Sequence, residues 1–88
     1  MASETRRDRM EKILRDSLDP SEIFVIDDSI RHLGHAGSSP SGETHFQVKI
    51  TSDLFRGLSL VEQHRKIYSL LQEELKNGLH ALEIESKY

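Results

Sequence analysis

Apolar and polar positions along the chain switch repeatedly between a helical and a strand period. Met10, Ile13, Leu14 and Leu18 recur at helical spacing behind two candidate N-caps, Ser3 and Thr5. They predict an amphipathic helix ending before Asp19-Pro20, because proline disfavours helical geometry in the residue before it. Ile23 to Asp28 is short, β-branched and aromatic, and reads as a first strand. His45 to Ser52 alternates, with Phe46, Val48 and Ile50 on one face and Gln47, Lys49 and Thr51 on the other. That is the second strand. Asp53 to Gly57 has room for one helical turn. Leu60, His64, Ile67, Tyr68, Leu71 and Leu75 then form one helical stripe, opened by a Ser59/Glu62 capping box and closed by Asn77-Gly78. Leu79 to Ser86 reads as the last strand, with His80, Leu82 and Ile84 on one face. From Ser29 to Thr44 the period is lost among glycines, serines and Pro40, which predicts a loop long enough to carry function.

The predicted order is αββααβ, a single α+β domain over residues 1–88 in which helices cover one face of a three-stranded mixed sheet. Its size, 88 residues with 35% hydrophobic, predicts a thin core and no large enclosed active site. No apolar run approaches the roughly 18 residues of a membrane span. The N-terminal residues lack the apolar stretch of a secretory signal, so the default expectation is a cytoplasmic protein away from membranes. A free sheet edge leaves weak homo-oligomerisation open.

Cysteine is absent, which excludes disulfides, a thiol nucleophile, and any zinc or iron–sulfur site held by this chain's own thiolates. There is no Gly-x-Ser-x-Gly and no phosphate-binding glycine loop. Asp27 and Asp28 are adjacent in a strand, so they point to opposite faces and share no proton. An enzyme is not expected.

Net charge of −3 argues against binding nucleic acid by bulk electrostatics. The charges are unevenly spread. Residues 1–15 carry five basic and three acidic groups, residues 16–30 carry five acidic and none basic, and residues 31–66 are again five basic to three acidic. Ordinary solvated charge accounts for this pattern; one positive face is the alternative. The order from Ile50 to Leu75 (strand, short helix, glycine-bearing turn, longer helix) is the layout of a KH-type module, whose turn clamps a nucleotide backbone. Arg56 and Gly57 fill the turn, and Arg65 and Lys66 follow on the helix. Gly57 lacks the second glycine that lets backbone approach phosphate closely, so an ordinary interhelical loop is the competing reading.

Five histidines in a chain without cysteine are the oddest feature of the composition. No pair has the spacing of a helical zinc motif or a zinc finger. His64 lies on the apolar stripe and reads as a partly buried histidine bonded to backbone. His32 and His35 lie in the loop, where solvated side chains are the plain reading. His80 follows the Gly78 turn at a strand entrance, where a side chain is half exposed.

Five short segments in order resemble the BolA family. They are Asp28-Ser29-Ile30-Arg31-His32, Gly42-Glu43-Thr44-His45-Phe46, Ser52 to Gly57, Gln63-His64-Arg65 with Tyr68, and Leu79-His80-Ala81-Leu82. The resemblance runs from about Met10 to Ile84 and implies an αββααβ domain related to the class II KH fold. It further implies association with a monothiol glutaredoxin and a shared 2Fe-2S cluster. In that picture glutaredoxin and a bound glutathione supply thiolates, and this chain supplies histidine. His80 matches the family's C-terminal ligand position. His32 matches the loop position best, with His35 an in-register alternative. Imidazole in place of thiolate raises a cluster's potential and ligates only when deprotonated, so binding is expected to weaken towards about pH 6. The family is also linked to transcriptional regulation through DNA binding. Many relatives have Arg-His-Arg where this chain has Gln63-His64-Arg65, which removes one positive charge from that surface.

Overall fold

The computed structural model describes residues 4–29 and 43–88. Helix α1 (Arg6–Leu18) leads to strand β1 (Glu22–Asp27), then β2 (His45–Thr51), a 3₁₀ turn (Asp53–Phe55), α2 (Leu60–Leu70), α3 (Gln72–Lys76) and β3 (Ala81–Lys87). Of the two candidate caps, Thr5 starts α1. Its hydroxyl accepts from the Asp8 amide at 3.1 Å while the Asp8 carboxylate accepts from the Thr5 amide. Asp19, in the left-handed conformation at φ 43°, ends the helix just before Pro20.

The sheet is mixed, in the order β1-β2-β3. β1 runs antiparallel to β2, with Val25 opposite Val48, and β3 runs parallel to β2, with Ile84 opposite Val48. Parallel neighbours require a crossover, here the 3₁₀ turn and α2–α3. Met10, Leu14 and Leu18 from α1 meet Ile23, Val25, Phe46, Val48, Ile50 and Leu82 from the sheet, with Phe55, Ile67, Leu71 and Leu79 completing the core. Each such side chain contributes on the order of 1.5–3 kcal/mol when fully buried. Ser52 joins two of these parts: its hydroxyl donates to Leu18 O at 2.5 Å and accepts from the Leu54 amide at 3.2 Å.

One strand is filled in beyond the sequence reading, and the later elements differ from it in detail. The apolar run of β1 divides between the two faces of the sheet, burying Ile23 and Val25 and leaving Phe24 and Ile26 exposed. The long helix is two helices, separated at Leu71, whose φ of −98° and ψ of 14° leave helical geometry. Its buried face runs through Gln63, Ile67, Leu71 and Glu74, whereas Leu60 and Tyr68 of the expected stripe are exposed. Hydrophobicity alone misplaces that face because two of its members are polar. Gln63 is buried with its amide donating to Leu58 O and its carbonyl accepting from the Ser86 hydroxyl. Finally, β3 starts at Ala81, so His80 precedes the strand.

Candidate functional site

His80 is placed by backbone bonds on both sides. The turn before it passes through Gly78 at φ 120°, and the Leu79 amide donates to Glu74 O at 2.9 Å. Leu79 is buried and acts as an anchor. The amides of His80 and Ala81 both donate to Thr44 O, at 2.8 and 3.0 Å. The His80 side chain is thereby left exposed on a fixed backbone at the entrance of β3.

The residue beside it is one to which the sequence reading assigned no role. His45, 6% exposed, lies with its ring centroid 5.3 Å from that of His80 and the planes tilted by 55°. Its Nδ1 is hydrogen-bonded to the Thr44 hydroxyl at 2.9 Å. The pairing follows from the parallel register, which sets His45 opposite Ala81. A histidine at or just before the start of each of two strands was the available signal, and it becomes visible only once the register is known.

The described ends of the long loop meet at the same place. The Ser29 hydroxyl, buried, accepts from the amides of Thr44 and His45 at 2.9 and 3.1 Å. Asp27 accepts from the Ser29 amide at 2.9 Å and from the Glu43 amide at 3.2 Å. Burial works to raise the Asp27 pKa, but the bonds from Ser29 and Glu43 outweigh it and hold the carboxyl below its ordinary 3.8. Where the loop leaves and returns, the chain is therefore fastened beside His45 and His80. The loop histidines His32 and His35 lie outside the described residues.

A shallow depression of about 40 Å³ adjoins the pair, lined by Asp28, His45, Phe46, Ala81 and Glu83. It is far below the several hundred Å³ of an ordinary small-molecule site. Among the described residues, no three His, Cys, Asp or Glu side chains gather in a way that could hold a metal ion.

Glu74, beneath the Gly78 turn, receives Arg9 Nε at 2.8 Å and Arg6 Nε at 3.0 Å. The hydrogen bond from Arg9 lowers the Glu74 pKa most. Burial opposes it, and Arg6 adds to the lowering, so the carboxyl sits below its ordinary 4.5. The same bond raises the Arg9 pKa against the opposing effect of its own desolvation.

The candidate nucleic-acid residues lie elsewhere, around the start of α2. Arg56 reaches Asp53 at 3.2 Å and lies 5.0 Å from the Tyr88 ring centroid. Gly57 is left-handed at φ 83° with open space where a Cβ would stand. Arg65 and Lys66 are exposed on α2. His64 is half-buried as expected. Its Nε2, however, is buried with no hydrogen-bond partner among the described residues, so the anticipated backbone bond is not made at that atom.

The family model described as BolA-like protein matches residues 14–88. The chain is 52% identical over 83 residues to SufE-like protein 1, chloroplastic/mitochondrial, of Arabidopsis thaliana, covering 90% of this chain and 22% of that protein. It is 50% identical over 88 residues to Protein BOLA1, chloroplastic, of the same plant, covering 98% and 55%. The chain thus spans about half or less of the length of these two curated relatives. The DNA-binding transcriptional regulator BolA of Escherichia coli is 42% identical over 80 residues, covering 91% of this chain and 72% of that protein. Among solved structures, the BolA domain of SufE1 from Arabidopsis thaliana superposes with a TM-score of 0.86 at 51% identity, covering 98% and 94%. The names of the two plant relatives refer to organelles, whereas cytoplasm is the default reading of this sequence. Among the described residues, no helix is long and apolar enough to cross a membrane.

Proposed function

This chain belongs to the BolA-like protein family, and from that premise we propose that it is an adaptor that completes a 2Fe-2S cluster together with a monothiol glutaredoxin. The observation that carries the reading is His80: an exposed imidazole on a backbone fastened at three amides, next to the fastened ends of the loop that contains His32 and His35. The donor set fits a shared site. The chain has no thiolate, so ligands beyond its imidazoles come from the partner and its glutathione. His80 is the C-terminal ligand and His32 the loop ligand, with His35 the alternative. When bound, the cluster supplies redox and transfer chemistry, at a potential raised by neutral imidazole donors. This chain's own part is to present nitrogen donors in a fixed place and to shield one side of the shared group. No catalytic step is assigned to it.

The test is an absorption and circular dichroism titration of the chain into cluster-loaded monothiol glutaredoxin, with His32→Ala, His35→Ala and His80→Ala run alongside. Saturation near one chain per glutaredoxin, with a spectrum altered by His80→Ala and by one loop variant, supports the reading and assigns the loop ligand. An unchanged spectrum on adding the wild-type chain sinks it.

A second reading is DNA binding, favoured by the name of the Escherichia coli relative, a DNA-binding transcriptional regulator, and by the exposed Arg65 and Lys66 beyond the open Gly57 turn. Its contacts would be to phosphate, from Arg56, Arg65 and Lys66.

A further inference from the structure

The family match begins at residue 14, so the first two turns of α1 lie before it. One side chain from those turns links the return of the loop, Glu74 and the turn before His80. Arg6 Nη2 donates to Asn77 O at 2.7 Å, on the turn that leads into His80. Its Nη1 donates to Glu43 O, at the described return of the loop. Its Nε donates to Glu74 at 3.0 Å, and the Arg6 backbone amide donates to the Glu43 carboxylate at 2.8 Å. The side chain is 12% exposed and its Glu74 partner 9%. Glu43 is held at φ 64°, a conformation a glutamate rarely adopts without such fixation.

We propose that Arg6 is the positioning residue that fixes the spacing between His80 and the returning end of the loop. One planar guanidinium donates in three directions to groups 37, 68 and 71 positions away. Two of these acceptors are backbone carbonyls, and they belong to the segments on either side of the Thr44–His80 contact. If the guanidinium is removed, Asn77 O and Glu43 O lose their common donor, and the turn before His80 and the return of the loop lose one of the links that hold them together, leaving the Thr44 O bonds and the His45–His80 ring contact. Arg9 provides an internal control. It shares Glu74 but makes no bond to Glu43 or Asn77 among the described residues. Lysine has a single ammonium centre and cannot reproduce the fork. For its spectral arm the inference rests on the cluster reading above; its main arm is independent of it.

The main arm is amide hydrogen exchange on the free chain, comparing wild type with Arg6→Lys, Arg6→Gln and Arg9→Gln. Both Arg6 variants are expected to speed exchange at the His80 and Ala81 amides by about 10-fold or more, while core amides such as Val48 keep their rates. The Arg9 variant should leave His80 and Ala81 within about 3-fold of wild type. Unchanged rates at His80 and Ala81 in both Arg6 variants overturn the proposal, as does uniform acceleration including Val48. If one Arg6 variant fails to fold, the other is read alone, and unchanged His80 and Ala81 rates in it overturn the proposal. In the glutaredoxin titration, Arg6→Lys should alter the cluster's circular dichroism while Arg9→Gln does not. Faster exchange without any cluster spectrum in the wild type would leave Arg6 as positioner and remove only the cluster reading.

Discussion

His45 and His80 face each other with ring centroids 5.3 Å apart, one buried and the other exposed, because β2 and β3 run parallel and begin side by side. The buried ring is tied to Thr44 and backs the exposed one. The exposed imidazole is thus supported through its backbone and across its ring, an arrangement suited to donating to a group brought by another molecule.

His80→Ala should therefore separate function from stability. The side chain is exposed and its backbone bonds are unaffected, so unfolding free energy should change by no more than about 0.5 kcal/mol. Urea denaturation checks this, and the glutaredoxin titration checks loss of the chain's contribution to the spectrum.

Ser29→Ala should do the reverse. It strips the hydroxyl that accepts from the Thr44 and His45 amides, leaving buried donors without that acceptor. A loss of about 1–3 kcal/mol is expected by urea denaturation. The His45 and His80 ring resonances should shift together, because Thr44 connects them.

The two left-handed glycines should respond differently to alanine. At Gly57 a Cβ meets nothing within 4 Å, so only the backbone cost of roughly 1 kcal/mol applies. At Gly78, φ is 120° and a Cβ would stand 3.1 Å from Arg6 Nη2, so strain adds to a disturbed guanidinium. Gly78→Ala should cost more, about 1–3 kcal/mol, and should alter His80 resonances as Gly57→Ala does not.

Acid should weaken the frame through Glu74. Its pKa is depressed in the folded state, so its stabilisation is complete above the ordinary value of 4.5 and is lost as pH falls through the lower folded value. Asp27 behaves in the same sense from 3.8 downward. Glu74→Gln should be less stable than wild type at pH 7, by about 1–2 kcal/mol after discounting the solvent-screened Arg9 limb. The gap should close progressively as pH falls below 4.5. Urea midpoints across that range read it, and a gap that widens in acid would refute the assignment.

DNA binding, if it is the activity, should be electrostatic and modest. Arg65→Ala and Lys66→Ala should each reduce the salt slope of duplex binding by about one unit. A shift of labelled duplex that is absent, or indifferent to salt, rules out that role.

Local signals were legible where neighbours in sequence decide the outcome. Thr5 with Asp8 and Ser59 with Glu62 close their capping boxes within one turn, the alternation of Phe46, Val48 and Ile50 identifies a strand with one buried face, and Gly78 marks the turn before His80. The αββααβ order follows from these. The stripe through Leu60 and Tyr68 misled because Gln63 and Glu74 are buried by partners on other elements, Ser86 from β3 and Arg6 and Arg9 from α1. For the same reason the His45–His80 pair, the Ser29 bonds to β2 and the reach of Arg6 were decided by tertiary structure. Each depends on strand register or helix docking, which bring distant residues within hydrogen-bond distance and leave no periodic trace in the chain.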